Sequence, residues 1–364
     1  MKIGILTLYD NRNFGNRLQN VALQNKLASY GKVVQTIKSD CKPGSGMEAI
    51  KIKSDVRNCE ALLALLGKCR CLLTVRFTNK WINTTRKLYW CNLDSEQQIP
   101  DRYDICCVGS DQIWNPHYKR TAMFNYLGFA DRDRTFSYAA SFGVEEIPEQ
   151  HKEAVRKGLE HIKFISVRED AGKRIVEELT GRTDVQVLAD PTMLLTAEEW
   201  DKIARKPKAE VPEKYVLTYF LGAVSHDRRA EIARKAKEMD CQLIELMDRK
   251  SPFYAIGPDH FLYLIKHAAL VCTDSFHGSI FSFLYQRPLV IFDRKGGQEN
   301  MGSRLETLAS KFGLTDCMAE GDRLPDVPET ADYSKGSEAL TEERKKANAF
   351  LNMVFEEAER AGLC

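Results

Sequence analysis

The run Lys2-Ile3-Gly4-Ile5-Leu6-Thr7-Leu8-Tyr9-Asp10-Asn11-Arg12-Asn13-Phe14-Gly15-Asn16-Arg17-Leu18-Gln19, with Val33-Val34-Gln35-Thr36-Ile37 beyond it, decides the fold. Residues 2–8 are mostly apolar and favour a strand, a polar turn follows, residues 16–30 show helical spacing, and 33–37 is a second, β-branched run. Strand, helix and strand in that order form a βαβ unit, in which parallel strands lie beside each other and the helix covers the sheet. The rhythm recurs with strands at 103–108, 134–141, 164–167 and 185–188 and helices near 149–161 and 170–179.

Arg205-Lys206-Pro207-Lys208-Ala209-Glu210-Val211-Pro212 breaks this pattern with charges and two prolines, the composition of a linker. It then restarts: strands at 215–221, 242–246, 270–273 and 289–292, helices at 227–239, 259–268 and from Ser275. The expectation is an α/β protein of two doubly wound domains, 1–205 and 206–315, the first interrupted by a basic helical excursion at 51–87. Residues 316–337 read as a polar loop. After them Leu340, Ala347, Phe350, Leu351, Val354, Phe355 and Ala358 recur at helical spacing, which predicts a closing amphipathic helix over 338–362, with Gly362 at its end.

With 364 residues, 53 Lys plus Arg against 51 Asp plus Glu and a formal charge of +2, the chain has no global attraction for nucleic acid or membrane, and no nucleic-acid partner is expected. Uncharged runs such as 215–226 and 275–286 fall short of the ~18–20 residues of a membrane span, and the N-terminal apolar run is too short for a signal peptide. A soluble, cytoplasmic protein is expected. The exception to neutrality is 51–87, where nine Lys or Arg meet only Asp55 and Glu60, a net +7 interleaved with Leu62, Leu63, Leu72, Phe77 and Trp81. It reads either as solvated helices or as a platform for an anionic acceptor or the inner face of the membrane. Among the eleven cysteines, Cys69-Arg70-Cys71 and Cys106-Cys107 lack the spacing of a tetrahedral site, so free thiols are expected, with Cys106, Cys107 and Cys272 serving as small core hydrophobes.

In open α/β sheets ligands sit beyond the carboxyl ends of strands, where helix N-termini favour anions. The unusual residues cluster there. After the first strand, Gly15 permits close approach and Asn16 is suited to cap the helix; a dinucleotide loop is not indicated. Next, Gly109-Ser110-Asp111-Gln112-Ile113-Trp114-Asn115 joins a carboxylate, two amides and an indole, a mixture suited to sugar binding or base chemistry. Ser141-Phe142-Gly143 is a small-residue exit, and Arg168 follows an apolar run where a guanidinium would hold a phosphate or carboxylate, unless Glu169 and Asp170 pair with it at the surface. In Leu270-Val271-Cys272-Thr273-Asp274-Ser275-Phe276-His277-Gly278-Ser279, hydroxyls, backbone N–H groups and an imidazole gather at one helix start; a satisfied core histidine is the plainer alternative.

Taken together, these blocks resemble the polysaccharide pyruvyl transferase family. The resemblance rests on Asn13-Phe14-Gly15-Asn16, Val108 to Asn115, Ser137-Tyr138-Ala139-Ala140-Ser141-Phe142-Gly143, Ser166-Val167-Arg168-Glu169, Asp190-Pro191-Thr192 and Thr273 to Gly278. It implies a glycosyltransferase-B-like pair of Rossmann-like domains facing a cleft. It also implies transfer of an enolpyruvyl unit from phosphoenolpyruvate to a saccharide, free or lipid-linked, as a pyruvate ketal in cell-surface polysaccharide biosynthesis. In that scheme His277 is the general acid and Asp111 the base, while Arg168 with backbone N–H groups around Gly15 and Ser275 to Gly278 holds the donor's carboxylate and phosphate. Phosphoenolpyruvate is the donor substrate, and no cofactor or metal is expected. Many members carry an arginine two residues before the histidine, where this chain has Ser275; Arg304 and Arg17 are the candidates to replace it. A nucleotide-sugar-dependent glycosyltransferase of the same architecture and a non-catalytic glycan-binding homologue are the competing readings.

Overall fold

The computed structural model describes residues 1–9, 13–40, 59–91, 103–118, 122–295 and 303–363. In chain order the first half contains β1 (Lys2–Leu6), α1 (Phe14–Leu27), β2 (Val33–Ile37), β3 (Ser39–Asp40), α2 (Cys59–Trp81), β4 (Tyr89–Trp90), β5 (Ile105–Val108), β6 (Thr135–Ser137), α3 (Glu149–His161), β7 (Ser166–Val167), α4 (Asp170–Thr180) and β8 (Gln186–Val187). After α5 (Ala197–Asp201) come β9 (Tyr215–Tyr219), α6 (His226–Glu238), β10 (Gln242–Glu245), α7 (Pro258–His267), β11 (Leu270–Thr273), α8 (Phe276–Leu284), β12 (Leu289–Ile291), α9 (Ser303–Phe312) and α10 (Ser334–Arg360).

Two four-stranded parallel sheets form, in the orders β2-β1-β5-β6 and β10-β9-β11-β12. The orders match. In each sheet the second strand lies outside the first and the chain then crosses to the opposite side, so a topological switch point falls between β1 and β5 and again between β9 and β11. The crevices at these points are lined by the turns after β1, β5, β9 and β11, which is where the sequence concentrates its polar and small residues.

The halves share a core. Phe14, Leu18, Val21 and Ala22 of α1 pack in one cluster with Leu217, Tyr219, Phe261, Ile265 and Ile280 of the second sheet and its helices. α10 returns to the first half, where Ala347, Phe350, Leu351, Val354, Phe355 and Ala358 meet Ile3, Ile5, Leu23 and Phe136. Its N-terminus lies at Ser334, inside the stretch expected as loop, and Gly362 beyond it takes a left-handed φ of 66°. The strand expected over 134–141 is only Thr135–Ser137, because the backbone turns left-handed at Ala139 (φ 47°). The expected linker lies between α5 and β9, with Pro207 buried.

Of the basic excursion, residues 51–58 lie outside the described residues, and α2 is one long helix anchored to the second half. Arg70, 5% exposed, donates to the carbonyls of Leu246 and Tyr254 and lies over the Phe14 ring at 4.0 Å. No helix among the described residues is long and apolar enough to cross a membrane. The described cysteines are free thiols; Cys106 and Cys272 are fully enclosed, and burial pushes both up to about 12.

Candidate active site

Asp111, Arg168 and His277, distant in sequence, converge at the junction of the halves, each no more than 6% exposed. Asp190, from the Asp-Pro-Thr turn, joins them. Arg168 NH1 donates to Asp190 Oδ2 at 2.9 Å, and Ser110 Oγ donates to the same oxygen at 2.9 Å. His277 Nε2 lies 3.7 Å from that oxygen, and Arg168 NH2 lies 3.9 Å from Asp111 Oδ1. On the far side Asn16 Nδ2 donates to Asp111 Oδ2 at 3.0 Å while its Oδ1 accepts from Arg17, so the polar chain runs continuously from α1 to α8.

Burial on its own would raise the Asp111 carboxyl, but Arg168, His277, the Asn16 amide and Arg304 outweigh it and hold the group below its ordinary range. Asp190 is buried too, and His277, Arg168 and the Thr192 N–H hold it far lower. Both are carboxylates at neutral pH. Around Arg168 burial opposes the charge, and Asp190, Asp111 and Glu169 more than compensate. The guanidinium still has Nε and NH2 buried with no hydrogen-bond acceptor. It lies over the Phe276 ring at 4.4 Å, and Arg304 approaches the same ring at 5.9 Å. Arg304 is 7% exposed, and burial together with the neighbouring Arg168 charge lowers it to about 10. Two buried guanidiniums sharing one aromatic ring, with N–H donors unmatched, constitute a cradle for an anion.

Several sequence expectations change. The cap of α1 is Asn13, whose side chain accepts from Gly15 N at 3.0 Å; Asn16 is inside the helix and turned toward Asp111. That cap occupies the Gly15 N–H, the Ser275 N–H donates to Thr273 Oγ1 at 3.0 Å and the Gly278 N–H to the Ser275 hydroxyl at 3.3 Å, so these three amides already have partners within the fold. Gly15 is needed for a different close approach: a Cβ there would lie 2.1 Å from His277 Nδ1. Ser275 is the cap of α8, and Ser279 Oγ bonds back to Ser275 O. Arg17 is wholly buried, bonds to the Leu8 carbonyl and Asn16, and lies over the Tyr9 ring, so it anchors the turn, whereas Arg304 reaches Phe276.

Trp114 offers no sugar platform. It is 1% exposed, packed between Tyr126 and Phe142, with Nε1 donating to the Asn125 carbonyl. Asn115 accepts from His117 N to close a turn, and Gln112 accepts from the Tyr118 hydroxyl and fills the space that a side chain on Gly143 would take. Gly109 lets Thr7 and Leu23 approach its backbone, a Cβ there meeting Thr7 at 3.0 Å. Ser141 Oγ donates to Glu169, which also accepts from the backbone N–H groups of Phe142 and Gly143; at 1% exposure Glu169 is an internal staple rather than a surface partner. Asp274 does the same at the second switch point, accepting from Leu221 N and Gly222 N. Asp190 is a site residue to which sequence reasoning gives no task; its signal is a carboxylate before Pro-Thr, just after the buried Leu188 and Ala189.

Comparison with known proteins bears on the fold and the family. The solved structure of UDP-N-acetylglucosamine 2-epimerase from Rickettsia bellii superposes with a TM-score of 0.50 at 10% identity, over 99% of this chain and 98% of that one. UDP-GlcNAc 2-epimerase from Neisseria meningitidis gives 0.44 at 10% identity (97% and 94%), and the lipopolysaccharide heptosyltransferase II of E. coli 0.36 at 10% (99% and 100%). The Rickettsia structure and the two matching parallel sheets show the fold, Rossmann-like α/β and consistent with the GT-B type. No curated protein sequence matches the chain. The family model for polysaccharide pyruvyl transferase matches residues 13–296, which hold every motif block named above, and the chain belongs to that family. It is a transferase.

Proposed function

We propose that the protein transfers the enolpyruvyl unit of phosphoenolpyruvate to two hydroxyls of a saccharide, forming a pyruvate ketal and releasing inorganic phosphate. One observation carries this reading: Arg168 and Arg304 present unmatched buried donors beside two carboxylates and an imidazole. A small donor bearing two anionic groups suits that cradle. The carboxylate and phosphate of phosphoenolpyruvate take the guanidinium N–H groups, orienting the enol carbon toward His277.

His277 protonates the methylene carbon, which becomes the methyl group, and positive charge develops at C2. One acceptor hydroxyl attacks C2 and gives up its proton to Asp111. Phosphate then leaves with the C2–O bond pair, and a second hydroxyl closes the ketal, its proton passing to the departing phosphate. Asp190 acts as a positioning residue, holding Arg168 directly and facing His277 Nε2. The acceptor belongs to cell-surface polysaccharide synthesis, and its free or lipid-linked form determines whether the enzyme works at the inner membrane face. No cofactor is assigned.

The test is a thermal-shift titration of wild type and Arg304→Met. Protection of the wild type by phosphoenolpyruvate, much reduced in the variant, supports the donor assignment. Protection by nucleoside diphosphates and not by phosphoenolpyruvate would select a nucleotide-sugar transferase instead.

A further inference from the structure

Away from this site a cavity of about 490 Å³ opens between α2, the 205–209 segment and the start of α7. Arg76, Lys80, Arg205, Lys206 and Lys208 line it against one carboxylate, Asp259. All five cations are exposed, and none has a carboxylate within ion-pair distance among the described residues. By contrast, Arg156 on α3 and Arg234 on α6 are each pinned between two glutamates of their own helix. The cavity is also lined by Phe77, Trp81 and Ile256. Lys80 Nζ sits 4.7 Å from the Trp81 ring, and Trp81 Nε1–H is buried with no acceptor. Gly257 N donates to His260 Nδ1, which leaves Nε2 to carry the proton of the neutral ring.

Five cations without an ion-pair partner around an apolar wall, with an orphaned indole donor, suit a polyanion joined to an organic group. We propose that this cavity is a second binding site and takes the diphosphate of a diphosphate ester. It is larger than one phosphate needs. Resting on the reading above, the diphosphate would be the one that links the saccharide acceptor to its carrier. α2 connects the two places: one turn before Leu73, at the cavity, Arg70 covers Phe14, whose neighbour Gly15 supports the His277 ring.

Calorimetric titration with inorganic diphosphate, with and without saturating phosphoenolpyruvate, tests the site. Wild type is expected to bind diphosphate undisturbed by phosphoenolpyruvate, with affinity falling as salt rises. In Lys206→Gln/Lys208→Gln, and separately in Arg76→Gln/Lys80→Gln, binding is expected to weaken roughly tenfold or more. Both variants should release phosphate from phosphoenolpyruvate normally when the saccharide carries no phosphate. Unchanged affinity in both variants, or displacement by phosphoenolpyruvate, overturns the proposal. Farnesyl diphosphate binding above inorganic diphosphate identifies a lipid source, and uridine diphosphate doing so identifies a nucleotide source. Binding is read without turnover, so an enzyme that fails to use phosphoenolpyruvate would defeat the donor assignment and leave the cavity result intact.

Discussion

Asp190 Oδ2 accepts from Arg168 and Ser110 and lies 3.7 Å from His277, so one oxygen ties the first-half acid cluster to the second-half imidazole. Asp190→Asn leaves the Arg168 charge buried with a weaker partner. The expected cost is about 3–5 kcal/mol, the usual penalty for breaking a buried pair, measured as a lowered denaturation midpoint. On the proposed mechanism, His277→Gln should lower phosphate release about 10²–10⁴-fold with little effect on phosphoenolpyruvate affinity; undiminished release would dispose of its role as acid. The carboxylates also set an acid limit. The folded pKa values of Asp111 and Asp190 are both depressed, so their stabilisation is full above the ordinary carboxylate value of about 3.9 and is lost as pH falls below it. Between about pH 5 and pH 2 the wild type should therefore lose stability more steeply than Asp111→Asn, and parallel pH profiles would contradict the assignment.

Helix α1 shows how an element shapes the site. Phe14 stacks on Tyr219 and packs at a tilt against Phe261, fixing the N-terminus against the second half, and Gly15 leaves room for the His277 ring. In Gly15→Ala the new methyl must displace the imidazole or the helix. The expected result is a loss of about 1–3 kcal/mol in stability together with a large fall in turnover; retention of both would show that the junction yields easily. The elements themselves were readable because apolar runs and helical spacing are local signals, and the convergence of Asp111, Arg168 and His277 followed from strand-end placement. What the sequence hid was direction. Trp114 and Glu169 sit in motifs that look ligand-facing or exposed, yet one fills the core and the other bonds three groups of its neighbouring turn, and only long-range packing decides that. The cap was misplaced by three residues for a similar reason. Asn13 and Asn16 are equivalent by propensity, and Asn16 is claimed by Asp111, 95 residues away.

Across the whole molecule, the shared core joining α1 to the second sheet and the return of α10 to the first bind the halves together. Calorimetric unfolding should show one cooperative transition despite the two sheets; two well-separated transitions would mean that the halves are energetically independent. The same architecture places the imidazole from one half against the glycine and carboxylates of the other, so chemistry depends on the junction being intact. The most direct test is incubation of the purified protein with phosphoenolpyruvate and a panel of free, nucleotide-linked and lipid-linked saccharides, following inorganic phosphate and acceptor mass together. Phosphate release matched one-to-one by a pyruvate ketal on the acceptor, absent in His277→Gln, is the predicted result. Ketal formation that persists in that variant, or no phosphoenolpyruvate consumption with any acceptor, would contradict the account.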